Sequence, residues 1–518
     1  MGNLYGRLST ARNWCAFGIC LASLMIVPHS LGQGMAALSG KVADTQGALI
    51  PSAVVTATQS TTGTKTVVNS NSSGQYVFPS LPPASYSISV SSTGFKTFDQ
   101  VGILLQADQS VTVDVTLQLG QGSQTVVVSA NTAQVNTTTA TLSSVIGQRS
   151  VDELPLNGRN AAQLTEEVPG VILGPVDNAD QGTQKAFPSA VTVSVNGART
   201  ADTNFMFDGG NNIDELYSIN QPFPFPDALQ EFSIQTNNYN AEYGQNAGGV
   251  VNIISKSGGD QFHGDLFEYV RNGIFNASSF FSSTVDPLKR NQFGGTLGGP
   301  VEIPHLGKIK HSFFFVGYQR TINHDKQGGV GSFIATQANL NGDFSALESA
   351  SNPDNPIGKV VQINNPFTGK PYPGDMLNPS SFNPAAVAIT KALSSVGGNG
   401  AIYYQNPLIQ TFNEILVRGD QDVGSADHVT LHFYRNGFAQ AGVYDPTNLL
   451  TYNDQSKIPV LSALVSERHT FSPNLLNTLV VNYSREVSTR GPLSDVPNIA
   501  SFGVNIPQPP INALAGSA

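Results

Sequence analysis

Cysteine is almost missing from this sequence. The 518 residues contain 2 cysteines, Cys15 and Cys20, and both lie near the N-terminus. A disulfide scaffold, a thiol nucleophile and a thiolate metal site each require cysteines in the folded part of a chain. All three are therefore excluded for the chain that follows Cys20.

Charge and long apolar runs are also scarce. Charged residues make up 12% of the chain, about half of the usual fraction of roughly a quarter. The formal net charge is -10 and no basic tract occurs, so nucleic acid is not expected as a partner. No apolar run reaches about 18 residues, which excludes helical membrane spans. Membrane-spanning strands are not excluded, because their sequence signal is weak and alternating.

The N-terminus has the pattern of a secretory signal peptide. Arg7 and Arg12 precede the apolar residues 14–27, which small residues follow. This order predicts a cleaved signal peptide over residues 1–32. The alternative, a buried N-terminal helix, lacks a cap and an amphipathic pattern. Export from the cytoplasm is therefore expected.

Short strand patterns fill the next segment. Residues 37–120 are rich in Val, Thr, Ser and Tyr, with glycine and proline turn signals between the runs. This spacing predicts a β-sandwich of about seven strands. The alternation of apolar and polar residues from 111 to 117 predicts one half-buried strand that closes the domain. Residues 121–145 are polar except for the apolar run 126–128, and predict a linker that contains one strand.

Residues 146–258 predict a small α+β unit. A helix is expected near residues 161–167, and strands are expected near 191–195 and 250–254.

From residue 259 the sequence predicts tilted membrane strands. Apolar and polar residues alternate in segments near the length of about 9 to 11 residues that such a strand needs. The clearest case places Val429, Leu431 and Phe433 on one face and His428, Thr430 and His432 on the other. Seven strands are expected, at residues 262–271, 290–300, 311–320, 412–421, 427–435, 459–469 and 475–485. Short turns join some of these strands and the long connection 324–411 joins two others, which is typical of an outer-membrane barrel. Residues 259–518 are therefore predicted to form an incomplete antiparallel transmembrane β-barrel.

Several motifs resemble those of the Oar-like TonB-dependent outer-membrane receptors, which carry a carboxypeptidase-regulatory-like domain ahead of a plug domain. In the first domain the resemblance rests on residues 40–57, 72–90 and 93–95. Ala84 departs from the glycine that the family usually has at one turn. The name of this domain implies no peptidase here, because no set of zinc ligands accompanies it. The resemblance covers nearly all of the chain after residue 32.

A short apolar strand lies between the predicted sandwich and the predicted plug. Such a segment can add to a sheet edge of an energising partner by β-augmentation. A plain edge strand is the alternative interpretation, and the position favours the resemblance to a TonB box. The TonB-box-like residues are Gln124, Thr125, Val126, Val127, Val128, Ser129 and Ala130.

The strongest resemblance is to the plug. Residues 151–164, 168–171, 195–212 and 226–272 occur in the order of the family. The resemblance implies that the plug sits inside a barrel of about 22 strands and blocks its lumen until the partner pulls on it. The plug-motif residues are Pro155, Asn157, Gly158, Arg159, Asn196, Gly197, Arg199, Asp208, Gly209, Glu242, Tyr243, Gly244, Gly248 and Gly249.

Most of these motif residues also have simple structural interpretations. Asn196-Gly197 and Asp208-Gly209 are turn dipeptides. Gly244, Gly248 and Gly249 are expected to allow close packing against the barrel wall. The resemblance implies that Arg159 and Arg199 pair with carboxylates on the barrel interior.

The sequence contains no recognisable catalytic motif. The two histidines of HVTLH, residues 428–432, lie on a predicted strand, whereas a metalloprotease site needs a helix and a catalytic Glu. Asp202, Asp208 and Asp214 lack the spacing of a calcium loop. No nucleophile elbow, phosphate-binding loop or dinucleotide-binding motif occurs. No catalytic, cofactor-binding or metal-binding residue is predicted, and the protein is not expected to be an enzyme.

The sequence thus predicts a receptor in the outer membrane, with the sandwich and the linker facing the periplasm. Its expected partners are TonB with its inner-membrane complex, outer-membrane lipid, and an external ligand that is a siderophore, an oligosaccharide or a peptide. The alternative is an adhesion or carbohydrate-binding protein anchored in that membrane. Seven strands use about 33 residues each, so a barrel of about 22 strands needs roughly 700 residues. The sequence is therefore expected to be part of a longer protein, because an open sheet would leave unpaired edges in lipid.

Overall fold

The computed structural model is built mainly of β-strands. It describes residues 34–120, 125–129, 140–174, 187–239, 243, 246–277, 287–303, 307–393, 398–424, 426–472 and 475–505. The predicted signal peptide lies outside these residues. Among them, no helix has both the length and the apolar character needed to cross a bilayer.

The N-terminal domain is a sandwich of two sheets. Its strands are β1 (Ala36–Asp44), β2 (Val54–Gln59), β3 (Lys65–Asn69), β4 (Gln75–Leu81), β5 (Ala84–Ser91), β6 (Thr97–Leu105), β7 (Ser110–Thr112), β8 (Val115–Leu117) and β9 (Thr125–Ser129). One sheet has the order β4-β1-β7, with β8 also paired to β1, and the other has the order β3-β2-β5-β6-β9. Alternate residues of both sheets point inward, so Leu38, Tyr76, Phe78 and Ile88 form a fully buried core.

The last predicted strand of the sandwich is split in two. Residues 111–117 alternate between buried and exposed, as the sequence predicted. However, β7 and β8 are separate short strands, each paired in parallel with β1. The interruption lies where the Asp114 carboxylate accepts a hydrogen bond from the Lys41 amide at 2.9 Å. At the same point the Tyr76 hydroxyl donates to the Val113 carbonyl at 2.6 Å, so local side-chain bonds replace the strand pairing.

The unit that the sequence predicted as a plug, called the plug below, contains a five-stranded sheet. Its strands are β10 (Leu142–Gly147), β11 (Val171–Gly174), β12 (Thr192–Val195), β13 (Thr203–Phe207), β14 (Gly210–Asn211), β15 (Ile213–Asp214), β16 (Ile219–Asn220), β17 (Leu229–Asn237) and β18 (Gly249–Ser255). Its helices are α1 (Gln148–Glu153) and the 3₁₀ helices Asn157–Arg159, Ala161–Glu167, Thr200–Asp202 and Pro226–Ala228. The sheet order is β10-β17-β18-β13-β14. The helix predicted at 161–167 is present as a tighter 3₁₀ helix, and the two predicted strands correspond to β12 and β18.

One long antiparallel sheet follows the plug. Its main strands are β19 (His263–Asn272), β20 (Lys289–Ile303), β21 (Gly307–Phe333), β22 (Ala401–Val423), β23 (Asp427–Gln440), β26 (Gln455–Ser472) and β27 (Leu475–Glu486). They are hydrogen-bonded in that order. All seven predicted strands are confirmed, although β21 and β22 run to 27 and 23 residues. These two strands are therefore much longer than the bilayer requires.

The two faces of this sheet differ in polarity. Leu431, Phe433, Leu479, Val481 and Tyr483 are exposed on the outer face, as the alternation predicted. The opposite residues of the same strands are mostly polar and are buried or half-buried on the inner side. An apolar outer face and a polar inner face are the pattern of a barrel wall in a membrane. Within the described residues the sheet does not close on itself.

The two ends of the strands also differ. Short turns join β22 to β23 and β26 to β27, and the sandwich lies at this end, where the Thr64 hydroxyl donates to Asp422 at 2.9 Å. The opposite end carries long connections. Their elements are α2 (Gln337–Leu340), α3 (Pro384–Ala392), β24 (Val443–Tyr444), β25 (Tyr452–Asn453), β28 (Thr489–Gly491) and the 3₁₀ helices Ser345–Glu348, Pro373–Asp375, Pro379–Ser381 and Ile499–Phe502. The long connection predicted at 324–411 is shorter, at 334–400, because β21 and β22 continue pairing beyond the membrane span.

Gly40 offers a test of the sandwich packing. A Cβ added at Gly40 would lie 1.9 Å from the Val113 carbonyl oxygen, so Gly40→Ala must push β1 away from the β7–β8 segment. We expect a loss of about 1–3 kcal/mol in the free energy of unfolding. Pulse proteolysis of the full chain in urea measures this loss. The neighbouring, half-buried Ser39→Ala is the control and should change stability by less than about 0.5 kcal/mol. Equal stability of the two variants would contradict the packing described here.

Candidate functional site

The plug is packed directly against the inner face of the barrel wall. Phe207 of β13 stacks on the His432 ring of β23, with centroids 4.4 Å apart. Phe207 also meets the Tyr434 ring edge-on at 5.7 Å. A single buried apolar cluster includes Phe205 and Phe207 of the plug together with Phe315, Leu416 and Tyr434 of the wall. The plug core and the barrel wall therefore share one apolar interior.

A buried ion network joins the plug to the wall at the same place. Arg418 of β22 binds both oxygens of Asp420 at 2.9 Å and reaches the plug residue Asp208 at 3.4 Å. His432 of β23 bonds to the other oxygen of Asp208 at 2.9 Å. Ser255 of β18 donates its amide and its hydroxyl to Asp208, at 2.8 and 2.7 Å. The side chains of the charged groups and of His432 are at most 12% exposed. The opposite charges therefore stabilise one another in place of water.

The network keeps Asp208 ionised. Burial by itself raises the pKa of this carboxyl, but Arg418 and the hydrogen bonds from His432 and Ser255 outweigh burial and lower the pKa from 3.8 to about 2. Because the pKa in the folded protein is below the ordinary value, the stabilisation is present above about pH 4. It is lost as the pH falls through about 2. Asp208 therefore keeps its negative charge across the physiological pH range.

A tight turn presents Asp208 to the wall. Asp208 and Gly209 have φ angles of 48° and 84°, and they join β13 to β14 as the predicted turn dipeptide. The sequence identified the turn but not the pairing of Asp208 with Arg418. Nothing in the spacing of residues 208 and 418 indicates that they meet.

Arg159 takes its carboxylate partner from the plug rather than from the barrel interior. It forms an ion pair with Asp227 of the plug and lies over the Tyr269 ring of β19 at 3.8 Å, as a cation–π contact. Arg199 pairs with Asp202, also in the plug, at 3.1 Å. The implied pairing of these two arginines with carboxylates on the barrel interior is therefore wrong. The nearest acidic partners are supplied by the plug's own turns.

The neighbours of Arg159 do contact the wall. Asn157 accepts a hydrogen bond from Arg271 of β19 at 2.8 Å. The Gly158 carbonyl accepts one from Gln292 of β20 at 3.1 Å. The motif therefore contacts the wall through two hydrogen bonds, one of them donated by the charged guanidinium of Arg271, and through the cation–π contact of Arg159.

The remaining motif residues fall into structural roles. Asn196 and Gly197 form a turn, with φ angles of 51° and 80°, as predicted. Gly248 and Gly249 pack against Asp202 and Val195 of the plug, so the expected packing against the barrel wall is wrong for them. Pro155 is exposed after α1, and Tyr243 is buried. The predicted positions Glu242 and Gly244 lie outside the described residues.

A cavity of about 240 Å³ lies between the plug and the wall. Amide side chains from β20 to β23 line it opposite Phe187, Phe223 and Phe225 of the plug. The side-chain oxygens of Gln319, Asn323 and Asn436 are buried and have no hydrogen-bond partner in the part of the chain that the structure describes. Their amide nitrogens are already bonded to neighbouring wall residues. The cavity therefore offers free acceptors beside aromatic faces. A ligand with hydroxyl or N–H donors would satisfy them.

A buried carboxyl group joins the plug to the sandwich. Glu231 of β17 accepts a hydrogen bond from the Ala107 amide of the sandwich, and the neighbouring Asp108 accepts one from the Tyr243 hydroxyl at 2.9 Å. Burial, together with the charge of Asp108, raises the pKa of Glu231 to about 7. This contact therefore titrates near neutral pH.

The TonB-box-like segment is a strand in the structure. Its residues 125–129 form β9, which pairs in parallel with residues 97–101 of β6. The ends of the predicted segment, Gln124 and Ala130, lie outside the described residues.

The two histidines of HVTLH share the inner face of β23, as predicted. The two rings bind different carboxylates, because His428 bonds to Asp422 at 2.6 Å whereas His432 bonds to Asp208. Sequence reasoning missed a different group on the outer face, formed by Asp427, Glu467 and His469, whose ligand atoms lie within 4.8 Å of one another. Asp427 and His469 already form an ion pair at 2.5 Å.

Comparison with known proteins identifies relatives for both ends of the chain. Residues 254–517 match the family described as "Outer membrane beta barrel domain", and residues 37–118 match the "Carboxypeptidase regulatory-like domain". Over 310 residues the chain is 24% identical to "TonB-dependent transporter Oar" of Myxococcus xanthus, with 57% of this chain and 28% of that protein aligned.

Solved structures of transporters are also similar to the chain. The ferric enterobactin receptor of Pseudomonas aeruginosa aligns with a TM-score of 0.41 and 13% identity, over 68% of this chain and 42% of that one. The outer membrane transporter YddB of Escherichia coli aligns with a TM-score of 0.39 and 11% identity, over 67% and 39%. The chain thus spans less than half the length of each of these relatives.

Removing the charge of Arg418 tests the ion network. Arg418→Gln leaves Asp208 and Asp420 buried without their guanidinium, and we expect the plug to lose about 3–5 kcal/mol of stability. Protease sensitivity of the plug in urea, at pH 7, measures the loss. The control is the exposed Arg435→Gln of β23, which should behave as the unmodified protein. If Arg418→Gln resists protease equally well, the network does not hold the plug.

Removing the charge of Glu231 tests the contact between sandwich and plug. The pKa of this carboxyl is raised above 4.5 to about 7, so its contribution is fully present below about pH 4.5 and is lost as the pH rises through about 7. Glu231→Gln keeps the acceptor for the Ala107 amide. At pH 8 its free energy of unfolding should exceed that of the unmodified protein by about 3 kcal/mol, so it should unfold at a higher urea concentration. Urea midpoints at pH 5 and pH 8 measure this difference. The exposed Glu166→Gln should leave the pH dependence unchanged, and an unchanged dependence in Glu231→Gln would contradict the assignment.

Proposed function

The chain belongs to the outer-membrane β-barrel family, and from this membership we propose that it is a receptor that imports an external ligand with energy supplied by TonB. The protein is located in the outer membrane. The sandwich and the short turns face the periplasm, since short connections are typical of that side of the membrane. The long connections, including residues 334–400, face outward.

The observation that carries the proposal is the attachment of the plug. A transporter that works by energised opening needs a plug that stays in place at rest and can be released by force. The buried pair of Asp208 and Arg418 meets the first need, because breaking one partner away from a buried ion pair is costly. A thermal fluctuation alone therefore rarely releases the plug.

The path of the force supports the second need. The TonB-box-like residues 124–130 precede β10, an edge strand of the plug sheet that, among the residues the structure describes, pairs only with β17. Within the plug, a pull on the segment reaches β10 first, at the Leu142 end of this pairing. The hydrogen bonds of an edge strand then open one after another instead of all at once. Opening of β10 exposes the contacts of β17, which lead on to β18 and the network at Asp208.

The cavity beside Gln319, Asn323 and Asn436 supplies a place for a ligand between plug and wall. Free acceptors beside aromatic rings suit a hydroxyl-rich or N–H-rich molecule. This chemistry is shared by oligosaccharides and peptides, and also by some siderophores. The ligand is therefore to be found by testing these three classes.

A single proline tests the dependence on TonB. Val127→Pro removes a backbone donor from the middle of the segment, so a strand added by β-augmentation loses pairing. We expect the affinity of the full chain for the purified periplasmic domain of TonB to fall at least tenfold, as measured by surface-immobilised binding.

The control for this test is Val127→Thr, which keeps the β-branched side chain and the N–H group. It should bind TonB as the unmodified protein does. Equal binding by Val127→Pro would argue against residues 124–130 as the TonB contact. Absence of binding by the unmodified chain would contradict the proposed function. It would favour a protein that binds its ligand without energy supplied by TonB.

A further inference from the structure

We propose that the N-terminal sandwich shields the ion network at Asp208 from water, so that the plug is held more firmly while the sandwich is seated on the wall. The seat is the short-turn end of the wall, where β22 meets β23. This role of the sandwich goes beyond the function proposed above, because it needs neither TonB nor a ligand. It also gives the HVTLH segment, residues 428–432, a structural role.

Six side chains form a polar ladder on the inner face of the wall. They belong to three cross-strand pairs of β22 and β23, namely Arg418 with His432, Asp420 with Thr430, and Asp422 with His428. Successive pairs lie two residues apart along each strand, so all six side chains point to the same face of the sheet. The ladder therefore runs from the network at Asp208 to the short-turn end of the wall.

Hydrogen bonds connect the pairs of the ladder without a gap. The Thr430 hydroxyl donates to Asp420 at 2.8 Å and lies 3.2 Å from a ring nitrogen of His428. The other ring nitrogen of His428 is bonded to Asp422 at 2.6 Å. Because Arg418 binds Asp420, the bonds reach from the plug carboxylate to Asp422. Buried polar groups that are linked in this way strengthen one another.

The sandwich covers the last pair of the ladder. The Thr64 hydroxyl donates to the second oxygen of Asp422 at 2.9 Å. A further contact lies nearby, where Arg468 of β26 donates to the Ser80 hydroxyl at 3.2 Å. Thr64 directly precedes β3 and Ser80 lies on β4, and these are edge strands of the two sheets. Both sheets of the sandwich therefore contribute to the seat.

Exposure of the ladder rises toward the sandwich. The side chains of Asp208, Asp420 and His432 are at most 5% exposed, whereas those of Asp422 and His428 are 16% and 17% exposed. Even with the sandwich seated, the ladder is thus more open near the short turn than at the network. Water that enters from the short-turn end meets Asp422 and His428 first.

Water at the network would lower the cost of releasing the plug. Separation of Asp208 from Arg418 in a dry interior leaves two buried charges without a partner, which is costly. Water that reaches them solvates the separated charges and weakens their attraction. A seated sandwich keeps the ladder closed, so the plug is held at rest. A displaced sandwich opens the ladder, and the same ion pair then breaks more easily.

A carboxylate at position 64 should displace the sandwich from this seat. Thr64→Asp removes the hydroxyl donor and brings a second negative charge against Asp422, so the two groups repel each other. The Ser255 amide reports on the network, because it donates to Asp208 at 2.8 Å and exchanges its hydrogen only when this bond opens. In the full chain at pH 7, Thr64→Asp should raise this exchange rate by roughly tenfold, within the range usual for coupled sites. Hydrogen–deuterium exchange with mass spectrometry of fragmented peptides measures the rate.

A second substitution should reverse the effect. Asp422→Asn removes the repulsion and offers an amide donor to the new carboxylate, while its oxygen can still accept a hydrogen bond from His428. Thr64→Asp combined with Asp422→Asn should therefore restore the exchange rate of the unmodified protein. Asp422→Asn alone should change the rate by less than about twofold, because its amide group can bond to the Thr64 hydroxyl.

Two controls separate this effect from unfolding of the sandwich. The exposed Thr116→Asp of β8 adds the same charge to the other sheet and should leave the exchange of the Ser255 amide unchanged. Backbone amides of β5, in the core of the sandwich, should exchange equally slowly in Thr64→Asp and in the unmodified protein. If β5 exchanges faster in Thr64→Asp, the uncharged Thr64→Val decides instead. It removes only the donor and should speed the Ser255 amide by about threefold.

The shielding role is overturned if the Ser255 amide exchanges at an unchanged rate in a variant that has lost the Thr64 donor and keeps its sandwich folded. It is also overturned if Asp422→Asn fails to reverse the effect of Thr64→Asp, since the added charge would then act by another route. None of these measurements uses TonB or a ligand, so they decide the role of the sandwich whether or not the proposed function holds. Conversely, a chain that does not bind TonB would contradict the proposed function and leave the shielding role intact.

Discussion

The structure depends on a charge that the barrel wall buries. Arg418 points from β22 into the interior, where only 12% of its side chain is exposed. Such a group is tolerated only if carboxylates surround it with suitable geometry. Asp420 on the same strand supplies one partner, and Asp208 on a turn of the plug supplies the other. Without the plug, Arg418 would lose one of its two carboxylate partners. Without the wall, Asp208 would lose its guanidinium partner.

The other contacts of the plug follow from this constraint. Because Asp208 is held at the wall, Phe207 beside it is pressed on His432 and Tyr434. Farther along the same strands the contact becomes looser, and polar amides face a cavity instead of a plug side chain. The interface is thus tightly packed at one position and carries free hydrogen-bond acceptors at another. Neighbouring parts of one surface therefore differ, since one is closely packed and the other carries acceptors without a partner among the described residues.

The sandwich is connected to this interface in two ways. Glu231 of the plug is buried against Ala107, so the sandwich and the plug share a contact that weakens as the pH rises. The strand β9 belongs to the sandwich sheet by pairing, although it precedes the first strand of the plug in sequence. A force on β9 therefore acts on the sandwich before it acts on the plug.

The sequence alone determined the kind of structure. Alternating residues such as Leu431 and His432 identify strands and their faces, because the period of a strand is local and needs no knowledge of neighbours. The Asp208-Gly209 turn was local in the same sense. Which carboxylate meets which arginine was decided by the tertiary structure, since residues 208 and 418 meet only after the plug has folded inside the wall. For the same reason Arg159 was assigned to the wrong partner, and the pairing of residues 125–129 with β6 was not foreseen. A strand carries no signal for its neighbour when only backbone groups join the two.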